Sequence, residues 1–106
     1  VIDTWENEPD INRRLLERAD IATPHIAGYS ADGKVKADNM VIDALCSHFG
    51  LESPGMINPP ALPPYYIYKG SALDLYDPLI DTRRLKSHPE TFEEQRGNYP
   101  LRREHI

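Results

Sequence analysis

The apolar positions change their rhythm along the chain, and each rhythm predicts a different element. Val1 and Ile2 running into Asp3 predict a buried parallel strand whose C-terminal edge carries an acid. Asp20 to Thr23 predicts a second strand, closed by Pro24. Between them lies a polar loop, Glu6 to Asp10, in which Pro9 has no backbone N–H to donate. A short helix follows, capped by Asp10 or Asn12 and running to about Arg18, with Leu15 and Leu16 turned inward. Strand, loop, helix and strand in quick succession is the rhythm of an α/β layered sheet.

The period then lengthens. Ala37, Met40, Val41, Ala44, Leu45 and Phe49 recur at three- and four-residue steps, while Lys34, Lys36, Asp38 and Asp43 take the other side. This predicts an amphipathic helix packed on one face, capped by Ser30 or Asp32 and stopped by Gly50. Over residues 51–64 the period is lost. Pro54, Gly55, Pro59, Pro60, Pro63 and Pro64 predict a stiff extended connector and a domain boundary. Tyr65 to Tyr68 predicts a short aromatic strand. Ser71 to Arg84 predicts helix except at Asp77-Pro78, where Pro78 opens a new turn. A last short helix runs from Pro89 to Arg96 and breaks at Gly97-Asn98.

Composition narrows what such a chain does. With 106 residues, 27% charged and 40% hydrophobic, it has the make-up of an ordinary globular protein with a modest core. The net charge of −5 and the lack of a basic block argue against duplex nucleic acid as a partner. No apolar run is long enough to span a bilayer, and the start does not read as a signal peptide. The single cysteine, Cys46, has no partner for an internal disulfide and suggests a reducing, cytoplasmic setting. An opening without Met and an abrupt end at Ile106 read as the cut ends of a longer protein.

Asp3, Glu8 and His25 carry the candidate chemistry. Asp3 and Glu8 fall at and just past the end of the first predicted strand, and His25 falls at the same end of the second. In open α/β sheets ligands bind outside those carboxyl ends. A histidine beside a carboxylate there is an acid/base pair whose anion fixes the ring and favours its proton. The alternative is a pair of loop carboxylates and a satisfied strand-end histidine; spacing alone leaves both open.

The strings themselves go further. Asp3-Thr4-Trp5-Glu6-Asn7-Glu8-Pro9, followed by Ala22-Thr23-Pro24-His25-Ile26-Ala27-Gly28-Tyr29-Ser30, resembles the D-isomer-specific 2-hydroxyacid dehydrogenases. That family has an Asp-aliphatic-aromatic block leading to Glu-Pro and then Thr-Pro-His-Ile-Ala/Gly-Gly; Thr4 stands where it usually has Val. The resemblance implies that His25 is the general acid/base and Glu8 its carboxylate partner. It implies that Asp3 and Gly28 contact an NAD cofactor and that Tyr29 touches substrate. Tyr29 read by itself is equally an aromatic lid on the core. The run from His25 to Ser30, continuing to Gly33-Lys34, is similar to the branch of the family that acts on 4-phosphoerythronate. So are Leu75 to Leu85, Phe92 to Arg96, Tyr99 and Leu101 to Glu104, which resemble the dimerisation domain of that branch.

The implied architecture is α/β: the end of a doubly wound, Rossmann-like parallel sheet with its return helix, then the start of a small α+β dimerisation domain. The corresponding division is 1–30 for the end of the NAD-binding domain, 31–50 for the helix, 51–64 for the linker and 65–106 for the homodimerising region. The implied substrate is a small phosphorylated 2-hydroxy acid. The family's catalytic arginine and Gly-rich phosphate loop find no match, since no G-x-G-x-x-G occurs here. Arg13, Arg14 and Arg18 fall on the first predicted helix facing solvent and do not replace them. A rival reading makes these residues a non-catalytic dimerisation piece, and another assigns them to a related dehydrogenase of different substrate.

Other residues suggest less. The four histidines lack ligand spacing and one cysteine does not make a zinc site, so no metal is expected. Ser30 lacks the Gly-x-Ser-x-Gly setting of a hydrolase. Cys46 falls on the apolar side of the long helix as a core residue, and His48 suits that helix's C-terminus. Arg83, Arg84 and Lys86 read as a solvated face or dimer rim in preference to a phosphate site.

Overall fold

Where two strands are expected, the backbone makes one isolated parallel bridge, Ile2 with Ala22. Ile2 N–H donates to the Ile21 carbonyl at 2.9 Å and Thr23 N–H to the Ile2 carbonyl at 3.0 Å. The direction is as expected, but neither segment lengthens into a strand, because a ladder grows only where neighbours supply further partners. The computed structural model describes residues 1–64 and 66–104. Helices dominate them, and the expected α/β sheet is reduced to this bridge.

The first helix, α1, spans Arg13–Arg18. Asn12 caps it by accepting the Leu15 N–H at 3.0 Å; Asp10 does not. Leu16 is buried, whereas Leu15 is 44% exposed. Both were expected inside, but six residues make under two turns, so two adjacent leucines cannot share one face. Arg13, Arg14 and Arg18 face solvent as expected.

The long helix, α2, spans Ala31–Phe49, with Ser30 as cap and Gly50 in the left-handed conformation (φ 65°) as stop. Its expected packing does not occur. Met40, Val41, Leu45 and Phe49 are half or more exposed, and Ala31 alone is buried. The radius of gyration, 17.0 Å, exceeds the about 13 Å of a closed domain of this length because α2 projects from the rest. The chain reverses at Gly50 and the Pro-rich connector runs back beside α2. Asn39 holds it there, exchanging two 2.9 Å hydrogen bonds with the backbone of Ile57. Cys46 is half-buried, not core, with its Sγ 3.6 Å from the Glu52 carbonyl.

Tyr65 lies outside the described residues, and Tyr66 to Tyr68 form no strand. Tyr66 turns back instead: its N–H donates to the Pro63 carbonyl and its hydroxyl to the Asp74 carbonyl. Helix α3, Ala72–Leu75, carries a Ser71/Asp74 capping box. Helix α4, Pro78–Ser87, opens on Pro78 with Asp77 as cap, as the sequence predicts. A 3-10 turn, Pro89–Thr91, leads into α5, Phe92–Gly97.

The core joins the two ends of the chain. Trp5, Ile11, Leu16, Ala19 and Ala22 pack with Leu85 of α4 and Phe92 of α5. Polar bonds reinforce the seam. Ala22 N–H donates to Thr82 Oγ1 at 3.1 Å, and Lys86 Nζ donates to the Ala19 carbonyl at 2.5 Å. Lys86 thus closes the end of α1, while Arg83 and Arg84 stay exposed. The last described segment docks on the start of α2. Arg103 makes a bidentate pair with Asp32 (2.9 and 3.1 Å), and the Ala31 N–H donates to the Arg102 carbonyl at 2.8 Å.

Candidate active site

The structure brings Glu8 and His25 together and hydrogen-bonds Asp3 to the residues on either side of Pro24-His25. His25 Nδ1 lies 2.8 Å from Glu8 Oε2. The other carboxylate oxygen of Glu8 accepts the Trp5 N–H at 2.8 Å, so Glu8 is held by its own loop before it meets the histidine. The Trp5 ring is buried and its indole N–H donates to the Thr23 carbonyl at 2.9 Å, which ties the Glu8 loop to the His25 segment. With an ionised Glu8 as acceptor, Nδ1 carries the proton. Nε2 of the neutral ring is then a lone-pair acceptor with no partner among the described residues. The ring is 44% exposed, open enough to meet a substrate.

His25 itself has a left-handed backbone, φ 55°. A non-glycine residue there costs roughly 1–2 kcal/mol, so its surroundings must hold it. They do so from two sides. Asp3 accepts the Thr23 hydroxyl (2.7 Å), the Ile26 N–H (2.8 Å) and the Ala27 N–H (3.1 Å). Arg102, only 9% exposed, donates to the carbonyls of the same two residues, Ile26 and Ala27, at 3.0 Å each. Arg96 Nε adds a longer contact, 3.4 Å, to the His25 carbonyl. The loop bearing the histidine is therefore clamped by an acid from the N-terminal segment and two arginines from the C-terminal one.

Arg102 is seated by aromatic rings, with its guanidinium carbon 4.3 Å from the Tyr76 centroid. Burial and the nearby Asp81 charge raise the Tyr76 hydroxyl to about 12. Burial and a 2.6 Å bond to Asp81 raise that of Tyr99 further still. Both phenols stay neutral donors, and the buried Asp81 is satisfied by them.

Gly28 is exposed, and a Cβ placed on it would meet nothing within 4 Å. Tyr29 is half-buried, edge-on to Tyr99 with centroids 6.2 Å apart. A cleft of about 450 Å³ opens against Asp3, Thr23, Ile26, Ala27, Tyr76 and Arg102, but neither His25 nor Glu8 lines it. His48 is exposed and edge-on to Phe49, away from this site. No group of three or more metal-ligating side chains occurs among the described residues, and no helix among them is long and apolar enough to cross a membrane.

Sequence reasoning singles out Asp3, Glu8, His25, Gly28 and Tyr29 but misses Arg96 and Arg102. Both sit in a stretch quoted only for its resemblance to a dimerisation domain. They lie 71 and 76 residues from the backbone they hold, so no local period or spacing links them to it.

The Glu8 carboxyl responds to opposing influences. Burial pushes its pKa up, but hydrogen bonds from His25 and the Trp5 N–H, with the charges of His25 and Arg96, outweigh it and leave it below the ordinary 4.5. A group lowered on folding stabilises the folded state above its unfolded pKa, and the contribution vanishes as pH falls through the lowered value. The unfolding free energy of the native chain minus that of Glu8→Gln should therefore be constant near neutrality and shrink below about pH 4.5. Denaturant titrations at several pH values measure it, and a pH-independent difference contradicts the pairing.

Comparison with curated proteins gives the same direction as the motifs. The chain is 54% identical over 108 residues to erythronate-4-phosphate dehydrogenase of Bacteroides thetaiotaomicron, an alignment covering 98% of this chain and 31% of that protein. It is 53% identical to the Bacteroides fragilis protein of that name and 47% identical to that of Porphyromonas gingivalis, with the same coverage. No family model matches. The chain spans about a third of the length of the curated relatives it matches.

Proposed function

We propose that this chain, similar over 98% of its length to erythronate-4-phosphate dehydrogenases, supplies the acid/base part of a nicotinamide-dependent 2-hydroxyacid dehydrogenase site. The observation that carries the reading is the 2.8 Å His25–Glu8 pair with Nε2 of His25 left open. Substrate is 4-phospho-D-erythronate and the cofactor is NAD. The product is (R)-3-hydroxy-2-oxo-4-phosphooxybutanoate, a step toward pyridoxal 5′-phosphate in the cytoplasm. The region 65–106 serves as a homodimer contact.

Nε2 of His25 accepts the proton of the C2 hydroxyl as the C2–H bond gives up its electron pair, and the C2–O bond becomes a carbonyl. Glu8 keeps the proton-bearing Nδ1 oriented and stabilises the imidazolium that forms. NAD, if bound, would supply the hydride acceptor for the C2–H electron pair. The residues present fit it: Asp3 Oδ2 has accepted only the Ala27 N–H and retains a lone pair for an amide donor, and nothing obstructs the Gly28 backbone. Tyr29 lies four residues past His25 with its hydroxyl unbonded among the described residues, available to the anionic substrate.

Full-length protein carrying this chain should reduce NAD on addition of 4-phosphoerythronate, followed by nicotinamide absorbance. Turnover of glycerate or lactate-type acids with indifference to the 4-phosphate would assign it to another branch of the dehydrogenases.

A further inference from the structure

Tyr29 is approached by two cations from distant parts of the chain. Lys34 Nζ, from the first turn of α2, lies 4.3 Å from the ring centroid. The guanidinium carbon of Arg96, from α5, lies 5.4 Å from the same centroid. Arg96 also reaches the His25 carbonyl, so this cluster borders the acid/base pair directly.

The two cations differ in how far they are neutralised, in a chain whose net charge is −5. Lys34 makes no ion pair among the described residues. Arg96 makes one, 3.3 Å to Glu93, whose side chain is 62% exposed; pairs of that kind contribute little. A cation against an aromatic ring gains about 0.5–2 kcal/mol, so Lys34, which makes no ion pair among the described residues, is able to turn toward a stronger partner, while Arg96 keeps Nε on the His25 carbonyl and has Nη2 to offer. The Tyr29 hydroxyl adds a third unengaged donor. The hydroxyl of Tyr99, the ring edge-on to Tyr29, is by contrast spent on Asp81. The Lys34 ammonium, the remaining Nη2 of Arg96 and the Tyr29 phenol gather at one ring and make a set of donors suited to a dianion with several oxygens.

We propose that Lys34 and Arg96, with the Tyr29 hydroxyl, form the subsite that takes the phosphate end of the substrate beside His25. This rests on the dehydrogenase reading above and extends it to what distinguishes a phosphorylated from an unphosphorylated 2-hydroxy acid. The rest of the substrate then lies toward Nε2 of His25.

The experiment has two arms. In the full-length enzyme, the ratio of kcat/KM for 4-phosphoerythronate to that for erythronate is compared between wild type, Lys34→Gln, Arg96→Gln and the double variant. The ratio cancels effects common to both substrates, including any loosening of the His25 loop. It should fall about tenfold for each single variant and about a hundredfold for the pair, with Lys34→Arg restoring it. A ratio that does not move, because both substrates suffer equally or neither does, overturns the phosphate assignment. In the second arm inorganic phosphate is titrated into the chain itself while the Tyr29 ring resonances are followed. Saturable shifts lost in Lys34→Gln and Arg96→Gln support the subsite even if the full-length protein proves to oxidise something else. Absence of saturable shifts in the native chain overturns it even if phosphoerythronate is turned over.

Discussion

Replacing His25 with Ala in the full-length protein should lower kcat by about 10²–10⁴-fold if His25 has the proposed role, because a positioned acid/base group contributes on that order. On the proposed reading the imidazole takes the hydroxyl proton: Nδ1 lies 2.8 Å from Glu8 and Nε2 has no partner among the described residues. Removing it forces the proton onto water or the substrate's own groups while hydride departs, a rise of about 3–5 kcal/mol in the barrier. His25→Asn is the sharper variant, since Asn tolerates the left-handed backbone that His25 adopts at φ 55° and so separates lost chemistry from a distorted loop. Both variants should lose turnover alike. Glu8→Gln should lose less, because it leaves the ring in place and removes only the charge that stabilises the imidazolium. Steady-state kinetics with each protein measures this, and near-normal turnover in His25→Asn would remove His25 from the chemistry.

The meeting of Glu8 and His25 in the candidate site was legible in the sequence because its signals are local. Ser30 before a polar turn and Gly50 after the last apolar residue bound α2 as capping chemistry requires, and Pro78 after Asp77 opens α4. The order Glu8-Pro9 then Thr23-Pro24-His25 put an acid and a histidine at the ends of neighbouring segments, and the backbone bridge between Ile2 and Ala22 delivers them to each other. What was not legible is what acts at long range. Strand length depends on flanking partners, so Val1 to Asp3 and Asp20 to Thr23 form a bridge where the sequence predicts strands. An apolar stripe shows that a helix has a face but not what covers it, and the stripe of α2 stands exposed. Arg102 illustrates the same limit. In sequence it is one of two adjacent arginines near the end of a polar stretch; in the fold it is buried and holds the backbone on either side of the Ile26–Ala27 bond.

Phe92→Ala should be the most destabilising single change in the described core, costing about 3–5 kcal/mol. Its side chain is fully buried, and it is the one aromatic ring of the C-terminal segment in the cluster formed with Trp5, Ile11, Leu16 and Leu85. Total stabilities of domains this size are about 5–15 kcal/mol, so the loss is a large share of the whole. In urea the midpoint should fall by roughly 2–3 M for a typical slope. Leu79→Ala, at a position 47% exposed, should cost under about 1 kcal/mol and serves as the control. A loss no greater than the control's would mean that the cluster does not bind the two ends of the chain together. The consequence reaches the site by two routes. Phe92 lies one turn before Arg96 on α5, so its anchor sets where that guanidinium stands against Tyr29 and the His25 carbonyl. It also packs in the cluster that holds Trp5, whose N–H fixes one oxygen of Glu8 and whose indole fixes Thr23. Phe92→Ala should therefore weaken the His25–Glu8 pair while leaving every residue of the site chemically intact.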